Sequence, residues 1–263
     1  MVKMIADIGK SYFNIIKLLD TLSSRRKCFI CKRTFFSYLP VFGDDWYMKQ
    51  KKQFGINLKF KDMTYNRWEY RCPYCGSIDR TRLVMMYIRR YYQGRRNLRI
   101  LYFAPASGGI QFLRERMKMQ VDSNDLYRDD VDYHLDIQDL QGIAANTYDL
   151  VICSHVLEHV ADDRKALKEL YRVTKAGGEA LLLVPQDLKR VWFDEESGLS
   201  AEENWKRFGQ EDHVRRYTDE ALKDRIRAAG FVCRIFAGDN ISKKNREQNA
   251  INKNIRIYIA RKE

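Results

Sequence analysis

Proline and long apolar runs are scarce in this chain of 263 residues. It contains 4 prolines and 45% hydrophobic residues, so it can bury a substantial core and is not a disordered protein. No uninterrupted apolar stretch approaches the roughly 20 residues that a membrane-spanning helix needs. The N-terminus also lacks a charge-free apolar core and a small-residue cleavage site. We therefore expect no signal peptide and a cytoplasmic protein.

Positive charge is in excess, with a formal net charge of +13, and it is unevenly distributed. Residues 1–97 hold 21 Lys and Arg against 7 Asp and Glu, whereas residues 98–263 hold 27 against 28. A field of this size attracts polyanions or anionic surfaces, which are therefore candidate partners of the N-terminal third. The plain alternative is a solvated basic face without a partner.

Four of the six cysteines form two Cys-x-x-Cys pairs. The pairs are Cys28 with Cys31 and Cys72 with Cys75, and each lies beside residues that favour turns. Two such turns can place four thiolates around one tetrahedral ion, and in a cytoplasmic protein this favours structural zinc over a disulfide. We predict a zinc-binding domain over 25–97, including the helix that connects it to the rest of the chain. Its small aromatic core is expected to be separate from the core that follows.

Residues 1–24 place apolar side chains at helical spacing and predict an amphipathic N-terminal helix. The plain interpretation is a helix that packs on its own protein. A helix that lies on a membrane surface or joins two copies is less favoured, because its polar face carries only a few lysines.

Apolar strands alternate with amphipathic helices over 98–263 and predict a second domain. The apolar run 100–103 breaks into a turn of small residues, and an amphipathic segment and an acid-rich stretch follow, as in a nucleotide-binding βαβ unit. The chain closes with two strands, 231–236 and 255–260, joined by a polar loop. Without a helix between them, one strand must run antiparallel. We predict an α/β fold: a Rossmann-like mixed sheet with an antiparallel last strand, preceded by a small zinc-binding domain.

The turn after the first strand of this domain consists of Ala104, Pro105, Ala106, Ser107 and Gly108. Small residues let the backbone approach a ligand closely, and the following helix offers unpaired N–H groups to a negative group. We therefore predict that this turn binds a nucleotide-like cofactor.

An acid near the end of the next strand is the residue type that holds a ribose diol. Asp125 is the first candidate. Asp122 is the alternative, because the end of a predicted strand is uncertain by a few residues.

Two motifs resemble the class I S-adenosylmethionine-dependent methyltransferases. They are Phe-Ala-Pro at 103–105 and Val-Leu-Glu-His-Val at 156–160, which are most similar to a type 11-like bacterial subfamily with an N-terminal four-cysteine segment. The resemblance implies a seven-stranded sheet and S-adenosylmethionine as the cofactor. It also implies that Asp136 and Ile137 lie near the adenine amino group and that His155 lies beneath the donor sulfonium.

The segment 208–217 follows the fifth strand over the carboxyl edge of the predicted sheet, where open α/β folds bind ligands. It is rich in polar chemistry and resembles the subfamily's Phe-Gly-Gln-x-Asp-His-Val-Arg motif. We predict His213 as the catalytic base, held by Asp212 or Glu211, because imidazole titrates near neutral pH. The predicted acceptor-binding residues are Gln210, Arg215 and Tyr217. The alternative is that these groups only lock the segment to the sheet by buried hydrogen bonds. His159 is left out of the catalytic set, because it could equally be structural.

These patterns favour a methyltransferase that acts on a small molecule, or on a glycan or nucleotide-sugar acceptor, by direct displacement. Two alternatives stay open. The zinc module and the basic N-terminal third would suit an RNA methyltransferase, although no Asn-Pro-Pro-Tyr type motif follows the fourth strand. A nucleic-acid-binding module on a catalytically weak methyltransferase fold is supported by alanine in place of glycine in the turn.

Overall fold

The structure is a computed structural model that describes residues 25–41, 52–53, 55, 64–106, 108–185 and 192–263. The helix predicted over 1–24 and Ser107 of the predicted turn lie outside these residues. Within the described ranges, no helix combines the length and the apolar composition that crossing a bilayer would require.

The cysteine-containing part, which is the region 25–97, starts with an antiparallel hairpin: β1 (Arg26–Lys27) pairs with β2 (Thr34–Phe35). The first cysteine pair lies in the turn between these two strands, and the second lies in a turn just before helix α1 (Asp79–Tyr92). Helix α1 is buried along most of its length, including Leu83 and Tyr87.

Eight more strands follow: β3 (Arg99–Phe103), β4 (Gln120–Asn124), β5 (Tyr148–Ser154), β6 (Thr174–Leu183), β7 (Asp194–Glu195), β8 (Arg215–Arg216), β9 (Val232–Ala237) and β10 (Arg256–Arg261). Six of them form one sheet in the order β4-β3-β5-β6-β10-β9, and β7 pairs with β8 separately. Strands β4, β3, β5 and β6 are parallel, whereas β10 is antiparallel to both β6 and β9. The predicted mixed sheet with an antiparallel last strand is confirmed.

The remaining helices are α2 (Gly109–Gln111), continued by a π-helix (Phe112–Arg116), α3 (Asp163–Val173), α4 (Ala201–Phe208), α5 (Asp219–Ala228) and α6 (Lys243–Gln248). Helix α3 begins where the Asp162 side chain accepts hydrogen bonds from two backbone N–H groups of its first turn. Helix α6 lies inside the stretch predicted as a polar loop, where Ser242 caps its N-terminus. A cap of this kind is a local signal that the polar composition masked.

The seventh strand of the predicted sheet is reduced to a single bridge. Tyr133 pairs in parallel with Asn124 beside β4, and the rest of 125–136 forms turns and bends. Several aspartates occupy this segment, and Asp is depleted in strands because its carboxylate bonds nearby backbone groups instead. The Asp132 carboxylate does so here, accepting hydrogen bonds from the N–H and the hydroxyl of Ser123.

The cysteine-containing part and one face of the sheet share a single hydrophobic core. Phe35 and Tyr38 belong to the same buried cluster as Ile100, Leu150 and Ile257 of the sheet. The expectation of two separate cores is therefore wrong. Sequence spacing predicts the hairpin and the turn but not the surface on which they pack.

Residues near the C-terminus hold the cysteine-containing part in place. The Asn249 side chain accepts a hydrogen bond from Phe29 N at 2.7 Å, and its backbone oxygen accepts one from Arg82 Nε at 2.8 Å. Arg26 Nη1 donates to the backbone oxygen of Glu247 at 2.8 Å. Residues 26–29 and 247–249 thus meet, although they are about 220 positions apart in sequence.

Candidate active site and metal centre

A cavity of about 380 Å³ opens where β3, β4 and β5 end. Strand β3 lies between β4 and β5 in the sheet, so the strand order reverses here, and ligands of open α/β sheets bind at such a point. Six of the residues that the sequence predicted for the site line the cavity: Ala104, Asp125, Asp136, Ile137, His155 and Asp212.

The sequence missed part of the cavity wall. Leu126, Tyr127, Gln138 and the apolar residues of 156–161 also line it. Tyr127 is 90% exposed at the rim, which is unusual for an aromatic side chain that serves only packing. Its position two residues after the predicted ribose acid is the signal that could have marked it.

Two lining residues have a left-handed backbone. Ala104 has φ +44° just after β3, and His155 has φ +58° just after β5. This conformation costs a residue with a Cβ atom roughly 1–2 kcal/mol. Sheet hydrogen bonds hold both residues, from Ala104 N to Asn124 O at 2.9 Å and from His155 N to Leu183 O at 2.8 Å. Backbone strain that the fold maintains in this way is concentrated at functional sites.

The rest of the predicted turn lies beside the cavity rather than on its wall. Pro105 O accepts a hydrogen bond from Arg128 Nη1 at 2.6 Å, and Ala106 N donates to Tyr102 Oη at 3.4 Å. These bonds fix the turn from both sides, and of its described residues only Ala104 reaches the cavity.

Gly108 brings this turn against the cysteine-containing part. Its φ is +75°, and a Cβ atom at this position would lie 3.3 Å from Cys75 O and 3.4 Å from Ile30 Cγ2. Glycine is therefore required for both the backbone conformation and the close approach. The turn that contains Cys75 therefore directly supports the turn 104–108, which is predicted to bind the cofactor.

The two candidate ribose acids have different surroundings. Asp125 lines the cavity, and its Oδ1 accepts hydrogen bonds from the backbone N–H groups of Tyr127 and Arg128. Asp122 lies within β4, where its Oδ2 accepts hydrogen bonds from Arg99 Nη2 at 2.9 Å and Tyr148 Oη at 2.8 Å. Only Asp125 is placed where a cavity ligand could contact it.

The predicted catalytic pair is arranged differently from expectation. The Asp212 carboxylate lies 3.0 Å from Nδ1 of His159, and Gln210 Nε2 donates to its other oxygen at 2.8 Å. His213 is buried and does not line the cavity, and desolvation lowers its pKa. The imidazole that Asp212 orients on the cavity wall is that of His159, which the sequence analysis left out.

His155 completes the group of imidazoles at this edge. Its ring lies beside the Glu158 carboxylate, with 3.2 Å between Nδ1 and Oε1. Desolvation is the main cause that lowers the pKa of His155, to about 4, so its ring is neutral at physiological pH.

Arg215 lies in the protein interior, away from the cavity. Its fully buried guanidinium donates to the backbone oxygens of Leu157, Val160 and Ala161 and pairs with Glu195. These contacts are those of the alternative role that the sequence left open, because they fix the segment to the end of β5. No donor of this side chain faces an acceptor site.

Tyr217 has the same kind of surroundings. Its side chain is buried, and its hydroxyl donates to the carboxylate of Asp163. Asp163 also accepts a hydrogen bond from Arg225, so the start of α3 and the middle of α5 are tied together beneath the segment.

Glu195 joins this buried network from β7. Hydrogen bonds from Arg225 first, and then from Arg215, lower its pKa to about 2. We expect Glu195→Gln to reduce the free energy of unfolding at neutral pH by about 1–2 kcal/mol, a figure discounted for solvent screening. Because the folded-state pKa lies below the ordinary value, this stability is complete above about pH 4.5 and is lost as the pH falls towards 2.

Urea unfolding at pH 7, 4 and 3 tests the contribution of Glu195. The stabilities of the wild type and of Glu195→Gln should converge as the pH falls. A difference that stays constant across this range would show that the carboxylate charge has no part in the network.

The four paired cysteines meet at one point. Cys28 Sγ lies 3.7 Å from Cys75 Sγ, Cys31 Sγ lies 3.8 Å from Cys72 Sγ, and all four sulfur atoms lie within 4.8 Å of one another. A tetrahedron with Zn–S bonds of about 2.3 Å has sulfur atoms about 3.8 Å apart, so the four side chains fit a zinc ion. Hydrogen bonds from Cys31, then Cys72 and Cys75, lower the pKa of the Cys28 thiol.

The sheet order, the antiparallel last strand and the cavity at the strand ends are those of a Rossmann-like methyltransferase fold. A solved structure with this fold, a putative sarcosine dimethylglycine methyltransferase from Galdieria sulphuraria, superimposes with a TM-score of 0.51 at 12% identity, over 84% of this chain and 98% of that one. In sequence, residues 105–182 match the family described as a methyltransferase domain.

Two further solved structures are similar over 69% of this chain, each with a TM-score of 0.45. One is a SAM dependent methyltransferase from Archaeoglobus fulgidus, 17% identical and covered over 94% of its length. The other is a 1,6-didemethyltoxoflavin-N1-methyltransferase from Burkholderia thailandensis with bound S-adenosylhomocysteine, 14% identical and covered over 77%. No curated protein matches this chain in sequence.

Proposed function

We propose that this protein transfers a methyl group from S-adenosylmethionine to a small molecule, or to a glycan or nucleotide-sugar acceptor. The observation that carries the proposal is the cavity at the strand-order reversal of a methyltransferase fold, with Asp125, Asp136 and His155 on its wall. The matched methyltransferase domain, 105–182, begins in the cofactor turn and includes all three residues.

Each of these residues on the cavity wall has its own proposed role. Asp125 would hold the ribose hydroxyls, Asp136 and Ile137 would lie near the adenine, and His155 would lie beneath the sulfonium. The cofactor supplies both the methyl group and its own leaving group. The protein then contributes mainly by positioning the acceptor, an effect that can reach about 7–11 kcal/mol.

The segment 208–217, called the covering segment below because Asp212 extends from it to the cavity wall, supports a small acceptor. Asp212 lines the same cavity as the apolar side chains of Val156 and Val160. Arg215 holds this covering segment at the end of β5, and a cavity of about 380 Å³ suits a compact molecule better than a folded macromolecule.

Replacing Asp125 with asparagine should weaken binding of S-adenosylhomocysteine by about 1–3 kcal/mol, because hydrogen bonds to a charged carboxylate are the stronger kind. Isothermal titration calorimetry measures this. The matched control is Asp122→Asn, since Asp122 carries the same group three residues away and bonds Arg99 and Tyr148 instead.

The control variant should bind the ligand as the wild type does. Equal losses in both variants would point to a general destabilisation of β4. Unchanged affinity in Asp125→Asn would remove this acid from the donor site, and no binding by the wild type would refute the proposed function.

We also propose that Cys28, Cys31, Cys72 and Cys75 bind one structural zinc ion. The spacing of their sulfur atoms supports this, as does the Ser77 hydroxyl, which lies 3.2 Å from Cys75 Sγ and 3.5 Å from Cys28 Sγ. Four thiolates leave no open position for a substrate, so the ion would stabilise the fold rather than take part in the reaction.

A further inference from the structure

Glu158 is a buried carboxylate with few polar contacts. It has 1% of its surface exposed and does not line the cavity itself, although Val156 and His159 beside it in sequence do. Neither Oε1 nor Oε2 accepts a well-formed hydrogen bond, and the nearest nitrogen is Nδ1 of His155, 3.2 Å from Oε1. Among the described residues, no other carboxylate has both oxygens buried and unbonded in this way. A single imidazole contact leaves most of the hydrogen-bonding capacity of this buried carboxylate unused, and a bound cation would satisfy it.

Imidazole nitrogens from two segments surround this carboxylate. His159 Nε2 lies 4.0 Å from Glu158 Oε1, and the rings of His159 and His213 meet edge to face with 4.6 Å between their centroids. One ligand atom from each of Glu158, His159 and His213 lies within 4.8 Å of the others. Two of these residues follow β5 and the third comes from the covering segment.

A second carboxylate orients one of the rings. Asp212 Oδ2 lies 3.0 Å from Nδ1 of His159, and a proton shared there leaves the lone pair on Nε2, the nitrogen that faces Glu158. Metal-binding histidines are commonly held by such a carboxylate at the other ring nitrogen. Gln210 in turn donates to Asp212, so this outer contact is itself fixed.

We propose that Glu158, His159 and His213 bind a divalent transition-metal ion beside the cavity, behind the His159 side chain that lines it. Two imidazoles and one carboxylate are a donor set for zinc, iron or manganese, whereas magnesium and calcium prefer oxygen ligands. In a tetrahedral site, bonds of about 2.0–2.2 Å place neighbouring ligand atoms roughly 3.3–3.6 Å apart, so small side-chain rotations close the site. This ion is distinct from the four-cysteine ion, which has no open position.

Three protein ligands leave coordination positions open, and His159, which lines the cavity, connects the proposed site to it. Given the proposed methyl transfer, an acceptor hydroxyl would occupy one of them. The ion lowers the pKa of that hydroxyl, and its proton passes to solvent. The resulting oxygen forms a bond to the methyl carbon while the carbon–sulfur bond breaks and its electron pair returns to sulfur. The site therefore favours acceptors with an ionisable hydroxyl.

Zinc uptake by the full-length protein tests the inference. The protein is dialysed against micromolar zinc chloride, and its zinc content per chain is measured. The wild type should hold one equivalent more than Glu158→Gln and His213→Ala. The exposed His134 is the only histidine away from this group, so His134→Ala is the control and should retain the extra equivalent.

Buried variants can lose stability, so His159→Gln is the second test, because His159 is half-buried on the cavity wall. It should weaken zinc binding at least tenfold while leaving the circular dichroism spectrum unchanged. Asp212→Asn acts through His159 and should weaken binding roughly 10–100-fold. Equal zinc content in the wild type and all these variants would overturn the proposed metal site.

Binding of S-adenosylhomocysteine separates this inference from the proposed function. If the donor product binds but the extra zinc does not, the metal site is refuted and the methyltransferase stands. In that case Glu158→Gln should keep methyl transfer, with the His159–Asp212 pair acting as the base. If the extra zinc binds but the donor product does not, the metal site stands and the proposed function is refuted.

Discussion

Replacing Cys72 with serine should abolish zinc binding at the four-cysteine site and lower the melting temperature by at least roughly 10 °C. Structural zinc contributes a binding free energy of about 10–16 kcal/mol to small domains, and most of it depends on a complete ligand set. Cys72 is 1% exposed and lies in the core that the cysteine-containing part shares with the sheet. Loss of the ion should therefore destabilise the sheet as well.

The same variant should also bind S-adenosylhomocysteine more weakly. Gly108 of the cofactor turn packs on Cys75, so disorder in the cysteine turn reaches the donor site directly. Cys233→Ser is the matched control, because this thiol is partly buried and lies outside the four-cysteine group. If Cys72→Ser keeps its zinc, its melting temperature and its donor affinity, the cysteine cluster is not a structural zinc site.

Arg215→Met should reduce the free energy of unfolding by about 3–5 kcal/mol. The substitution keeps an apolar stem of similar length but removes every donor from the backbone oxygens of Leu157, Val160 and Ala161. Breaking a buried ionic network by removing one partner has effects of this size. Because Val160 and Ala161 line the cavity, affinity for the donor product should fall as well.

Urea unfolding of Arg215→Met at pH 7 measures this loss. Arg227→Met is the control, because Arg227 is exposed and pairs only with Asp224 in the same helix, an interaction worth less than about 1 kcal/mol. If the two variants lose similar amounts, the guanidinium of Arg215 is not the element that fastens the covering segment. Normal stability with impaired turnover would instead return Arg215 to the acceptor site.

Regular periodicity made the sheet predictable. Apolar strands such as β3 and β5 and the two closing strands carry their own signal. The antiparallel direction of β10 was predicted from a connection without a helix, whereas helix α6 lies in that connection. Positions close to strand ends were also accessible, which is why Asp125 and His155 were placed at the cavity. The prediction of a seventh strand was not met in full, because the aspartates of 125–136 form local turns and leave a single bridge.

Contacts between segments that are far apart in sequence could not be predicted in the same way. Asp212 and His213 are adjacent in sequence, which favoured a catalytic pair, but their side chains diverge: Asp212 reaches the cavity and His213 turns inward. The partner of Asp212 is His159, 53 positions earlier. Nothing in either segment alone specifies this contact, because it depends on how the covering segment crosses the end of β5.

The hydrogen bond between Asn249 and Phe29, in the turn that contains Cys28 and Cys31, has a consequence for protein synthesis. Phe29 and Asn249 are 220 positions apart. At about 5–20 residues per second, the ribosome adds Phe29 to the chain roughly 10–45 seconds before Asn249. During that interval the apolar face around Tyr38 has no sheet to cover it. The thiols of the N-terminal part therefore stay accessible to metal until Asn249 has left the ribosome.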